Sequence, residues 1–354
     1  MGSSVSTGPV DHRTGARAAA VPTGATGRLS NPRADRVRAL AHLATASGRA
    51  RAGAFLAEGP QAVREALAAP APHRVRTVVA TAAALQRHPE LGPGAHRAGA
   101  ELLQCTDEVL AVLSGTRTPQ GVVAVCDAVR TGLDEVLAGP GGRPPALVAL
   151  LARVQDPGNA GTVVRVADAA GAGAVLLTGG SVDVHNPKVV RSTAGSLFHL
   201  DVVQGVELAD AVERLRAAGV AVLATDGVPG RGSADLDDLL DEAEGGAGPL
   251  AGPTAWLFGN EASGLDPAER ELADLAVRVP LHGRAESLNL ATAAAVCLYA
   301  SARAHRRGRR PGGAPRGVVD PAGAVSHTGA VEHRTSPSRA STGSPSSAAA
   351  VAHD

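Results

Sequence analysis

Short apolar runs alternate with amphipathic stretches along most of this chain. Apolar, β-branched runs stand at 54–57, 75–80, 101–105 and 121–126, and again near 146–151, 174–178, 199–203, 220–225, 254–259 and 275–280. Runs of this length bounded by Gly, Pro, Asn or Asp predict strands. Helical spacing is found between them, near 160–170, 188–195, 207–218 and 267–274, and over 287–304, where Leu290, Ala294, Cys297 and Leu298 recur on one face. Asn31-Pro-Arg to Leu43 reads as a short helix, and Glu58-Gly-Pro60 opens another, its proline in the first turn where the missing N–H costs nothing. Alternation of strand and helix from residue 146 onward predicts an α/β domain with a mostly parallel sheet and helices on both faces. The four earlier strands predict a smaller α/β module of about 100 residues.

The pattern divides the chain into a module over 31–129, a Gly- and Pro-rich linker over 130–145, and a larger domain over 146–304. Residues 1–30 and 305–354 lack an apolar period and read as disordered tails. The acidic stretch 234–244 reads as a solvated helix or loop. A chain of 354 residues has room for two domains plus such tails. Its formal net charge of +0 points by itself to neither nucleic acid nor membrane. An aromatic content of 1% argues against a base-stacking platform for single strands. Cys105, Cys126 and Cys297 are widely spaced in apolar surroundings and read as buried free thiols of a reducing, cytoplasmic compartment, without zinc-ligand spacing. No stretch approaches the ~20 apolar residues of a membrane helix.

Three polar loops leave apolar runs and feed helices within the larger domain. The first is Asp156-Pro-Gly-Asn159-Ala-Gly161-Thr-Val-Val-Arg165, the second Gly259-Asn-Glu261-Ala-Ser-Gly264, and the third His282-Gly-Arg-Ala-Glu286 leading into Ser287-Leu-Asn289. Each is weak alone: Gly and polar residues after a strand usually just turn the chain, and a Ser at a helix start is more often an N-cap than a ligand. Ligands of open α/β sheets bind outside the carboxyl ends of the strands, so the three loops are expected to converge. Other nucleotide signatures fail. Gly171-Ala-Gly173 precedes a strand instead of following one, no Walker loop or metal-spaced His pair occurs, and Ser263 has glycine only after it.

Asn159-x-Gly161-x-x-x-Arg165, Phe258-Gly-Asn-Glu-Ala-Ser-Gly264, and Val279-Pro-Leu with Glu286-Ser-Leu-Asn289 together resemble the three signature motifs of the SpoU/TrmH family of RNA ribose 2′-O-methyltransferases, in the family's order and over 146–303. The resemblance implies a trefoil-knotted (SPOUT) α/β domain, a homodimer with active sites at the interface, no metal, and methyl transfer from S-adenosylmethionine to a ribose hydroxyl. It maps cofactor contacts onto Thr225, Gly259, Val279, Leu281 and Leu288. For the apolar members, plain core packing is the competing reading. It maps catalytic roles onto Arg165, Asn159, Glu261, Ser287 and Asn289. Arg165 is expected about one turn into its helix. A guanidinium is effectively always protonated, so its easier role is electrostatic: holding a phosphate and stabilising a developing alkoxide. The sequence departs from the family at Leu290-Ala291, where a β-branched residue and Ser are frequent, while Ser287-Leu-Asn289 is intact.

Ala54-Phe-Leu-Ala-Glu-Gly59 and Ser114-Gly-Thr-Arg-Thr-Pro-Gln-Gly121 resemble, more weakly, the SpoU substrate-binding domain, a ribosomal-protein-like RNA binder. Arg33, Arg36, Arg38, Arg49, Arg51 and Arg117 are then its candidate phosphate contacts. Any one of these is more often a solvated surface arginine, and only the cluster favours RNA. The expected substrate is structured ribosomal RNA, with transfer RNA as second choice. A non-catalytic RNA-binding or ribosome-assembly protein on the same scaffold is the competing class, and the five intact catalytic positions argue against it.

Overall fold

The computed structural model describes residues 27–70, 72–225 and 233–308. The first part carries strands β1 (Gly27–Leu29), β2 (Ala54–Glu58), β3 (Val75–Thr81), β4 (Glu101–Cys105) and β5 (Val122–Asp127). Its helices are α1 (Asp35–Ala41), α2 (Ala46–Ala52), α3 (Pro60–Ala68), α4 (Ala82–Arg87), α5 (Leu91–Arg97) and α6 (Asp107–Leu113). The strands form one sheet in the order β1-β4-β3-β5-β2, with β5 antiparallel to both neighbours. The tail expected through residue 30 therefore ends earlier: Gly27, Arg28 and Leu29 pair in parallel with Leu103, Gln104 and Cys105.

The second part carries β6 (Leu147–Leu151), β7 (Ala174–Thr178), β8 (Asp201–Val206), β9 (Ala221–Thr225), β10 (Ser233–Asp235), β11 (Thr254–Phe258) and β12 (Leu275–Arg278). Helices α7 (Leu133–Ala138), α8 (Pro157–Ala170), α9 (Pro187–Thr193), α10 (Leu208–Ala217), α11 (Leu236–Glu244), α12 (Pro267–Glu271) and α13 (Leu290–Gly308) accompany them. All seven strands are parallel, in the order β10-β12-β9-β11-β6-β7-β8. Residues of β6 alternate between two cores: Leu147, Ala149 and Leu151 face one, Val148 and Leu150 the other. Both faces are thus dry, which explains why its sequence reads as an unbroken apolar run.

Two expectations change here. The linker contains α7, whose Leu133 and Val136 are buried against the second core. The acidic stretch is a helix with one buried side, Leu236 and Leu239, preceded by β10. Helix α13 also runs past its expected end to Gly308, and His305 contacts the carbonyl of Gly252 at 2.7 Å. Residues 1–26 and 309–354 of the expected tails lie outside the described residues.

One apolar core crosses from the first part to the second, joining Phe55, Ala57 and Val63 to Val189, Val190 and Phe198. Phe55 and Phe198 stack at 6.1 Å. Polar ties sit at its rim. Arg49, only 5% exposed, donates to Asp183 at 2.9 and 2.6 Å and to the carbonyls of Leu43 and Ala44. Arg49 is therefore a brace between the two sheets and not a phosphate contact: its fork is consumed inside the protein. His199 stands between Asp168 of α8 at 2.8 Å and Glu65 of α3 at 3.2 Å.

Helix α13 is pinned to β11 by Ser301, whose hydroxyl accepts from Thr254 at 3.0 Å and Trp256 at 2.9 Å. All three residues are fully buried. Ser301→Ala is expected to cost about 1–3 kcal/mol, because both donors lose their acceptor away from water; urea unfolding measures it. The hydrogen bond to Asp168, with that to Glu65, raises the His199 pKa above its ordinary 6.5. A raised folded-state value stabilises fully below the unfolded pKa and is lost as pH climbs through the folded one. The Tm advantage of wild type over His199→Gln is therefore expected at ~pH 6 and should shrink by ~pH 8.5. A gap that does not vary with pH would refute the ionic bridge.

Candidate active site

The three loops meet at the carboxyl ends of β6, β11 and β12. The first begins with Asp156, which caps α8 by accepting the N–H of Asn159 at 2.8 Å. Pro157 fills the first helical position, so α8 starts earlier than expected. In the second loop, Asn260 accepts the N–H groups of Ala262 and Ser263 at 2.9 and 3.3 Å and donates to the carbonyl of Arg153 at 2.8 Å. The loop then closes on itself where Gly264, at φ +65°, pairs with Asn260. Gly259 is required by space: a Cβ there would overlap the backbone of Gly264 and Leu265.

Glu261 leaves this turn and ties it to the first loop. Its carboxylate accepts from the backbone N–H of Asp156 at 3.1 Å and of Gln155 at 3.4 Å, and from the Asn159 amide at 3.2 Å. Asn159 in turn accepts from the Asn289 amide at 3.0 Å. Asn289 also caps α13, its Oδ1 accepting from Ala291 at 2.9 Å. The cap is thus Asn289 and not Ser287, because the helix begins at Leu290 and the residue just before it can bond the second and third helical N–H groups. Ser287 and Leu288 stay outside the helix, over a cavity.

That cavity has a volume of about 550 Å³, within the roughly 300–1,000 Å³ of small-molecule sites. Thr225, Gly259, Val279, Leu281 and Leu288 all line it, as do Glu261 and Ser287. Phe258, Asn260, Leu265, Arg278 and Leu290 are among the other residues of the wall and were not anticipated. Asn260 was visible within the Gly-Asn-Glu turn. Arg278 had no signal, since it is oriented by Asp235 of β10 at 2.6 Å. Among the described residues no group of three or more His, Cys, Asp or Glu stands ready to hold a metal ion.

Arg165 is the exception to convergence. It lies beyond two turns of α8, not about one, so it sits about 9 Å along the helix axis from Asn159. It is exposed, makes no hydrogen bond or ion pair among the described residues, and does not line the cavity of a single chain. Gly161 fills a different place: a Cβ would lie 2.5 Å from Ser192 and from the Val189 carbonyl, so this glycine lets α8 and α9 touch.

Of the candidate phosphate contacts in the first part, Arg33, Arg36, Arg38, Arg51 and Arg117 are all exposed. Arg36 pairs with Glu101 and Arg38 with Asp35, while Arg51 reaches only His42 at 3.4 Å. No helix among the described residues is long and apolar enough to cross a membrane.

A parallel sheet whose strand-end loops enclose one cavity defines an α/β ligand-binding enzyme scaffold. The comparisons sharpen this. A model of the SpoU rRNA Methylase family matches residues 146–299, and one of an MRM3-like substrate binding domain matches 34–124. The 23S rRNA (guanosine(2553)-2'-O)-methyltransferase RlmP of Bacillus subtilis is 34% identical, covering 77% of this chain and 98% of its own. The S-adenosylmethionine-bound rRNA methyltransferase of Sinorhizobium meliloti superposes with a TM-score of 0.65 at 28% identity, over 78% of this chain and 97% of its own. AviRb of Streptomyces viridochromogenes, a SpoU methyltransferase in complex with the same cofactor, gives 0.64 at 32% identity over 78% and 100%. The chain belongs to the SpoU family of rRNA methylases.

Replacing Glu261 by Gln turns a two-oxygen acceptor into one oxygen and one donor, facing N–H groups that need acceptors. Glu261→Gln is expected to lower methyl transfer by ~10²-fold, the scale of a misplaced loop. Retention of full turnover would show that the three loops hold together without it.

Proposed function

We propose that this chain transfers the methyl group of S-adenosylmethionine to a ribose 2′-hydroxyl of structured ribosomal RNA, with residues 146–304 carrying out the reaction and the module over 31–129 holding the RNA. The observation that supports this most is the link Asn289–Asn159–Glu261, which gathers all three motif loops beside one cavity. The relative from Bacillus subtilis, a 23S rRNA 2'-O-methyltransferase, and the cofactor-bound neighbours support the substrate and the donor.

The cavity fits that donor. Gly259 lets backbone come close, Val279, Leu281 and Leu288 offer an apolar wall for an adenine, and Thr225 stands at the strand end. S-adenosylmethionine brings an already activated methyl group, so the protein's task is alignment, which can supply ~7–11 kcal/mol. Asn289 is engaged with Asn159 and with its own helix, so it holds backbone, whereas exposed Ser287 is free to meet the ribose. Arg165 binds the flanking phosphate and stabilises negative charge developing on the attacking oxygen.

Because Arg165 is away from the cavity in one chain, we infer that a homodimer completes the site, with Arg165 of one protomer serving the cavity of its partner. The surface between them fits such a contact: Leu281, Val296 and Tyr299 are large, apolar and 40–50% exposed, and Tyr299 lies over α8 within 3.5 Å of the Ala169 carbonyl. The trefoil knot also belongs to this reading. In its support, β11 lies between β6 and β9, β12 lies beyond β9, and α13 returns to pack on α8.

With labelled S-adenosylmethionine, the purified protein is expected to methylate ribosomal RNA and leave an alkali-resistant phosphodiester. Label on a base or on protein would overturn the assignment. Arg165→Ala is expected to lose turnover by ~10²-fold or more while keeping cofactor affinity. Co-expressed Arg165→Ala and Glu261→Gln chains are expected to regain part of the activity, since their mixed dimer rebuilds one intact site. No regain would place both residues in the site of the same chain.

A further inference from the structure

Glu58, at the end of β2, carries a carboxylate only 9% exposed. It collects donors from two directions. From its own module, Thr116 Oγ1 donates to Oε1 at 2.9 Å, the Gly115 N–H donates to Oε2 at 3.2 Å, and the Ser114 hydroxyl also donates. From the second sheet's side, Arg191 of α9 donates to Oε2 at 3.1 Å. Four donors fill the roughly four lone-pair sites a carboxylate has. Gly115 is fitted against this pair, since a Cβ there would lie 2.6 Å from Arg191 Nη1.

The contact continues inward. Arg191 is on α9, which packs on α8 through the Gly161 gap, and α8 begins with Asp156 and Asn159, which bind Glu261. At the outer end, Arg117 follows the anchored Thr116 directly and is exposed. We infer that Glu58 is a positioning residue for the RNA: by locking the 114–120 loop onto Arg191 it fixes the distance between Arg117 and the active-site loops. This rests on the RNA-binding reading given above. Burying a charge pair is weak as a source of stability, because desolvation offsets most of the attraction, whereas it specifies geometry. A loop that only needed anchoring could use its own module, yet this one is tied through a shared carboxylate to a different sheet. Phosphate contacts set register on a nucleic acid, so a loop held at a fixed offset selects which ribose reaches the cavity.

The test compares Glu58→Gln, Gly115→Ala and the double variant with wild type, measuring KM for ribosomal RNA, kcat, cofactor Kd and Tm. Gly115→Ala displaces the guanidinium without altering Glu58 and, being on an exposed loop, keeps the test open should Glu58→Gln fold poorly. Each single variant is expected to raise the RNA KM about tenfold, with kcat and cofactor Kd changed by less than about twofold. The double variant is expected to be no worse than the singles, since all cut one link. An unchanged KM, an additive double variant, or an equal fall in kcat and cofactor affinity overturns the inference. Wild type that neither binds nor methylates ribosomal RNA overturns the functional reading instead.

Discussion

The carboxylate of Glu261 is the constraint around which the site is arranged. It is exposed, and it accepts from the backbone N–H groups of Gln155 and Asp156 at the entrance to α8, where the helix leaves its first donors without helical partners. The positive end of the helix favours a negative charge there. One anion thereby satisfies the helix start, fixes the Asn159 amide, and through it reaches the cap of α13. Three strand ends, the first of them about a hundred residues ahead of the other two, are thereby gathered at one cavity by a single side chain.

The rest of the protein supports this point from below. β6 and β11 pair in register from Leu147–Thr254 to Leu151–Phe258, so the first two loops leave neighbouring strand ends at one height. Cores on both faces hold those strands, and Ser301 holds α13 against them. Around the edge, Arg49–Asp183, Glu58–Arg191 and Glu65–His199 all land on one stretch, 183–199. That stretch contains α9, which also touches α8. The two sheets are therefore joined through the element nearest the first loop.

What was legible in the sequence was what local pattern controls. Apolar runs marked β6, β7 and β11 because each is buried on both faces, and Gly259 marked its turn because no residue with a Cβ fits there. β1 and β10 escaped because three-residue edge strands such as Gly27-Arg-Leu29 carry no period of their own. Arg49 was misread because its partner lies 134 residues away, and nothing near it in the chain announces burial. The shift of the helix cap from Ser287 to Asn289 followed from competition between two capping residues two positions apart, which composition cannot resolve. Arg165 was correctly placed on α8 but not in the cavity, since its distance from the other loops is a tertiary quantity.

The three cysteines have a practical meaning. All are buried, and burial pushes the Cys105 thiol up to about 12 and raises those of Cys126 and Cys297 as well. A thiolate is the reactive species, so at neutral pH the folded protein offers alkylating dyes almost nothing to attack. Two cysteines introduced on the surface, one in each half, can therefore carry a pair of fluorophores without first stripping out the native thiols, and the spacing between the halves becomes measurable.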